Sequence, residues 1–178
     1  MDQLRVRLEG RGAIVQRIFR ETAGMPNLVQ FYCKLLLEQL DRSEESTSTI
    51  VTESLQSVYE NTELRDFVLQ TFFSNSSPLE RAVVFAMISH GTANVSTFSL
   101  KDVNTELNRR NLSIPFNTLD EVCNHLDIAG IWQRQGRQFE FRIPLFGKML
   151  KENYSIDFLF ETARREFLST ASVHTEYA

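Results

Sequence analysis

The sequence has little cysteine, little proline and no long apolar run, and each shortage removes a class of protein. Only 2 cysteines occur in 178 residues. Cys33 and Cys123 stand far apart, each inside a segment with helical spacing, which is neither a disulfide framework nor a metal-ligand spacing. Two buried thiols in a reducing compartment are the economical expectation. No apolar run approaches the roughly 18 residues of a spanning helix, and the opening MDQLRVRLEG is too charged for the apolar stretch of a signal peptide. A cytoplasmic chain with no membrane segment is therefore expected. Basic charge is also short, 19 Lys and Arg against 23 Asp and Glu. A net charge of −4 and a pI near 5.5 lack the field that recruits nucleic acid or an anionic membrane, although a local basic patch is compatible with them.

What is present is an ordinary globular composition, 42% hydrophobic and 24% charged, sufficient for one domain or two small ones. The aromatic content leans on 14 phenylalanines against 4 tyrosines and 1 tryptophan, which points to packing. Ile14, Ile18 and Phe19 mark one face of a first helix that ends at Thr22, Ala23 and Gly24. From Pro26, the positions Leu28, Phe31, Tyr32, Leu35, Leu36 and Leu40 recur with a 3.6-residue period. Pro26 suits the first turn, where a missing N–H costs nothing. DRSEESTST, residues 41–49, reads as a loop. Ile50, Leu55, Val58 and Tyr59 then mark a third helix, and Leu64, Phe67, Val68, Thr71 and Phe72 a fourth. This half reads as all helical.

SNSSP, residues 74–78, is the best linker, because clustered Ser, Asn and Pro between periodic segments mark a break. Ser77 with Glu80 has capping-box spacing at the start of a helix running to His90. Ser99 caps a second helix over LKDVNTELNRRN, and FNTLDEVCNHLDIA forms a third, with apolar Leu119, Val122, Leu126 and Ile128, ending at Gly130. The period then changes. IWQRQGRQFEFRI alternates around a Gln-Gly-Arg tip, so Ile131–Arg134 and Gln138–Ile143 read as a β-hairpin. Three helices and a hairpin is the order of a winged helix. LFGKMLKEN and SIDFLFETARREFL add two helices, and ASVHTEYA reads as a frayed end.

Two blocks carry a family resemblance. TAGMPNLVQFYCKLL looks like the "T-G-G-x-P-x-L-x-Q" helix start in the lid of AAA-type ATPases, and FSLKDVNTEL through LDIAGIWQRQGRQFEFRIPLFGKML looks like the winged helix that follows it. The chain, over about residues 10–168, most closely resembles this region of the STAND subgroup of signal-transducing ATPases. The fold class so implied is mainly α: a four-helix lid at 1–76, then at 77–178 a winged-helix domain with a small β-hairpin and C-terminal helices. By position, Gly24 would turn the backbone close to a bound nucleotide and Pro26 would pack on the adenine. Local physics is compatible, since Gly tolerates positive φ and a helix N-terminus offers free N–H groups. A plain helix corner that binds nothing stays open beside it. The pattern G-x-x-x-x-G-K-[ST] is absent, so the chain alone is expected to be no enzyme and to hold no cofactor. ATP or ADP would sit in a nucleotide-binding core domain of a larger parent. The opening at an unremarkable helix suits such a piece, with a stand-alone adaptor as the other possibility. Other protein domains or protomers are the expected partners.

A winged helix also raises DNA binding, as in a stand-alone transcriptional regulator. Its third helix would enter the major groove, yet that helix carries Asp120, Glu121 and Asp127 and no Lys or Arg. Over 99–142 acids and bases balance, whereas a DNA-binding module has a clustered basic face. Arg134 and Arg137, flanking the hairpin tip, are the candidate phosphate contacts; a wing that touches another domain is favoured over them. His90, His125 and His174 are scattered, and only Asn124, His125 and Asp127 lie near one another. ARREF and RSEES read as solvated charged faces.

Overall fold

A computed structural model describes residues 6–8, 10–41, 48–50, 52–89, 97–142 and 144–175, the side chains at 6–8, 39–41, 48–50, 52–54, 144–145 and 171–175 excepted. The chain is mainly α, with a small antiparallel sheet that contains a hairpin. It divides into two compact units, Met1–Gln70 and Thr71–Ala178.

The first unit contains β1 (Val6–Leu8), α1 (Arg11–Thr22), α2 (Pro26–Asp41), β2 (Ser48–Ile50), α3 (Thr52–Tyr59) and the start of α4 (Thr62–Asn75). Apolar residues at helical spacing meet in one core: Ile14 from α1, Leu28, Tyr32, Leu35 and Leu36 from α2, Leu55 and Val58 from α3, and Leu64, Val68 and Leu69 from α4, all buried. Phe31 stacks on Phe67 with ring centroids 4.5 Å apart.

Two expectations for this half are corrected. It is not all helical, because β1 and β2 pair in parallel, Val6 opposite Ser48 and Leu8 opposite Ile50. Ile50 therefore lies in a strand and α3 begins at Thr52. A strand whose partner is some forty residues earlier leaves no local period to read. Phe19 does not share the buried face of Ile14: at 100° per residue the two diverge by about 140°, and Phe19 is 64% exposed. Leu40 lies outside the described side chains.

The division between the units falls within α4, which runs through Ser74 and Asn75, so the expected linker shortens to Ser76 and Ser77. α5 (Pro78–Ser89) follows, and the Ser77 capping box forms as its spacing predicts. The Ser77 backbone N donates to Glu80 Oε2 at 2.6 Å and Glu80 N donates to Ser77 Oγ at 3.2 Å. Leu79 and every residue from Ala82 to Ile88 are buried, so α5 is enclosed on all sides.

β3 (Phe98–Ser99) leads into α6 (Leu100–Arg109), whose Ser99–Asp102 capping box is complete. α7 (Phe116–Ile128) buries Leu119, Val122, Cys123 and Leu126. Ile128, expected on that face, is 85% exposed because at 100° per residue it stands about 160° from Leu126, on the opposite side of the helix. β4 (Trp132–Gln135) and β5 (Gln138–Phe141) form the expected hairpin, Gln135 opposite Gln138 across a two-residue turn in which Gly136 has φ 63°. Ile143 lies outside the described residues. The sheet order β3-β5-β4 includes one strand that local alternation did not reveal, Phe98 pairing with Phe139. Phe98 and Phe139 flank Trp132, with Phe98 edge-on to it at 4.9 Å. α8 (Pro144–Asn153) and α9 (Ile156–Thr175) complete the unit. α9 packs along α5 and continues into the segment expected to fray; residues 176–178 lie outside the described ones.

Among the described residues of this unit, one charged group is buried. Glu106, 1% exposed, accepts from Arg109 at 2.6 and 2.9 Å and from Arg110 Nε at 2.7 Å. Arg110 also reaches Asp157 at 2.9 Å and stacks on Phe160 at 5.0 Å, which ties α6 to α9. Glu106→Gln leaves the Arg110 guanidinium with a weaker acceptor and is expected to cost about 2 kcal/mol in urea unfolding, the range for hydrogen bonds to charged groups. The Arg110 hydrogen bond holds the Asp157 carboxyl below the usual range, against a smaller opposing effect of burial. A depressed folded pKa stabilises above the unfolded value near 4 and loses that stabilisation as pH falls through the folded one. Asp157→Asn is therefore expected to cost under about 1 kcal/mol at pH 7, as for an exposed ion pair. Unfolding measured at pH 7 and near pH 2 should show that difference shrinking in acid.

Candidate functional site

The corner between α1 and α2 is the most constrained backbone in the first unit. Thr22 ends α1 with its hydroxyl donating to Ile18 O at 2.7 Å. Ala23 and Gly24 then both take the left-handed conformation, φ 50° and 67°. The Ala23 N–H donates to Phe19 O, as does the Gly24 N–H at 3.1 Å, closing the helix in the manner of a glycine C-cap. Met25 follows, and Pro26 opens α2 with its ring exposed.

Gly24 is required there for two reasons: its φ is positive, and a Cβ at that position would lie 2.5 Å from Phe19 Cε2. The Phe19 ring occupies the space above the glycine. It is exposed on its outer side, and Val15, one turn earlier and 53% exposed, continues the surface. Sequence reasoning placed Phe19 inward and so missed it; strict helical phase from Ile14 would have turned it outward.

A polar lock lies on the inner side of α1. Glu21 Oε1 accepts from Arg17 Nε at 2.7 Å, and its Oε2 accepts from the Tyr32 hydroxyl at 2.6 Å. Arg17 extends to Gln56 Oε1 at 2.7 Å, so one carboxylate connects α1, α2 and α3. Burial, reinforced by the Glu21 hydrogen bond, keeps the Tyr32 phenol protonated well above its ordinary range. The corner is held from within and presents Val15, Phe19 and Pro26 outward.

The second candidate is the hairpin tip. Arg134 is engaged in the protein: its guanidinium donates to Asn124 Oδ1 at 2.6 Å and Gly136 O at 3.3 Å, and lies 5.4 Å from the centre of the Phe139 ring. Its backbone N–H donates to Asp127 Oδ1 at 3.1 Å. These contacts clamp the hairpin to α7. Arg137 is exposed at the turn.

The Asn124, His125 and Asp127 group is drawn apart by this clamp. Asn124 and Asp127 face Arg134, whereas His125 is exposed with Nδ1 3.4 Å from Glu80. His90 lies outside the described residues and the His174 side chain outside the described side chains. Cys123 is fully buried, and its burial, with a smaller contribution from Asp120, pushes the thiol up to about 12. Cys33 is half-buried and also raised by burial. Neither environment generates a thiolate nucleophile. Among the described residues no group of three or more His, Cys, Asp and Glu is placed to hold a metal ion, and no helix is long and apolar enough to cross a membrane.

Gly24→Ala adds a methyl group against the Phe19 ring at a left-handed backbone position. The expected cost is about 1–2 kcal/mol, measured by urea unfolding, with displacement of the Phe19 ring resonances in an NMR spectrum. Compared with known proteins, the chain matches no family model, no curated protein and no solved structure.

Proposed function

We propose that the chain is the regulatory C-terminal part of an AAA/STAND-type ATPase. The first unit serves as a lid over adenine nucleotide held by a core domain in cis, and the second is a winged helix that mediates contacts with other protein domains or protomers. The observation that carries this reading is the corner: a left-handed Gly24 and an exposed Pro26 at the start of α2, in the order the resemblance requires. An apolar surface braced from behind by Glu21 suits contact with a planar base or an apolar wall of another domain. In this role the chain supplies no catalytic group. Nucleotide, ATP or ADP, is held by the core domain, and the lid responds to it.

Protein contact is favoured over DNA for the second unit. The exposed side of α7 carries Glu121, with Asp120 half-buried beside it, which phosphate repels, and the Arg134 guanidinium already has protein acceptors. Arg137 alone would give a weak, unspecific contact.

Pro26→Ala is expected to weaken adenine-nucleotide binding by the complete ATPase roughly tenfold, about 1.4 kcal/mol. The unfolding midpoint of this chain should stay within about 0.5 kcal/mol of the parent, as for an exposed position. Equal nucleotide affinity in the variant, read with a fluorescent ADP analogue, would remove the lid assignment.

A further inference from the structure

We infer that copies of this chain associate head to tail, the outer face of α1 in one copy against the outer face of α7 in the next. Arg11, Val15 and Phe19 follow one another on α1 at four-residue spacing, all exposed, with exposed Arg20 beside Phe19. That spacing puts them in one row. No carboxylate stands among them: the single acid of α1, Glu21, is half-buried and held by Arg17 and Tyr32. The row is apolar in the middle and basic at both ends.

α7 presents the opposite pattern. Asn117, Glu121 and Ile128 fall on one stripe at steps of four and seven residues, all exposed, with Asp120 half-buried at its edge. The helix contains no Lys or Arg. Arg134 lies over Asn124 and Asp127, on the Asp120 side of the stripe and about 60° of helical phase from Glu121. Ile128, 85% exposed, is the apolar contact at the end of the stripe.

The charges choose the pairing. Two α1 faces would bring arginine onto arginine, and two α7 faces would bring carboxylate onto carboxylate. Only the mixed pairing joins Arg11 and Arg20 to Asp120 and Glu121 while covering Val15, Phe19 and Ile128. A pair then retains one unused face of each kind, α7 on one copy and α1 on the other, so the contact is heterologous and extends to further copies. The apolar area is small, which makes the association weak and dependent on screening. It needs no bound nucleotide, but it uses the Val15 and Phe19 surface that the lid assignment turns to the core domain, so the two contacts compete for that surface.

Sedimentation equilibrium of the chain over a range of concentrations tests this. At about 0.1 M salt the mean mass should rise above 20.6 kDa with concentration, and at about 1 M, where the screening length falls to roughly 3 Å, it should return towards the monomer. Arg20→Glu and Glu121→Arg each confront like charges at the contact and should remain monomeric alone, with unchanged circular dichroism. An equal mixture of the two should associate again, since each brings the face the other lacks. A wild-type chain that stays monomeric throughout, single variants that associate like the wild type, or a mixture that stays monomeric would each overturn the proposal.

Discussion

Enclosure of α5 is the constraint on which the second unit depends. A helix that buries Val83, Val84, Phe85, Met87 and Ile88 cannot stand at a surface, since each of these side chains gains about 1.5–3 kcal/mol from leaving water. α6 and α7 pack against it, and α9 packs along it. Polar ties then set where α9 lies: Arg110 to Asp157, Arg81 to Glu166 at 2.8 Å, and Arg164 to Asn111 O at 3.2 Å. With α7 in place, Arg134 joins the hairpin to it, and Trp132 closes the space between strands and helices.

The two units share a device, a carboxylate shielded from water that receives arginine from the same helix. Glu21 and Arg17 are four residues apart, as are Glu106 and Arg110. A carboxylate removed from water is costly unless paired and hydrogen-bonded. In both places the pairing reaches onward, through Tyr32 to α2 and through Arg110 to α9, so a local pair becomes a connection between elements. In the first unit this connection lies directly behind the Gly24 corner and keeps Val15 and Phe19 facing outward.

The distribution of charge separates the functional readings. At the hairpin turn the exposed Arg134 is bonded to Asn124 and Gly136 and Arg137 stands exposed beside it, while α7 carries acids. Basic charge collects instead on α1, around the apolar surface next to Pro26. A chain with a net charge of −4 thus has two faces of opposite sign, an arrangement suited to protein contacts rather than to a polyanion.

Helical period, capping boxes and turn chemistry by themselves determined the mainly helical class, the starts of α5 and α6 at Ser77 and Ser99, and the hairpin around Gly136. Each is a local property, legible because the interacting residues are within a few positions of one another. Gly24 and Pro26 were legible as a corner for the same reason. Tertiary structure decided what depends on distant residues: the pairing of Ile50 with Leu8, the third strand at Phe98, and the reach of Arg17 to Gln56. It also decided that Phe19 covers Gly24 and that Arg134 is a clamp. An aromatic or a guanidinium in a sequence has many possible partners, and only the folded chain brings one within bonding distance.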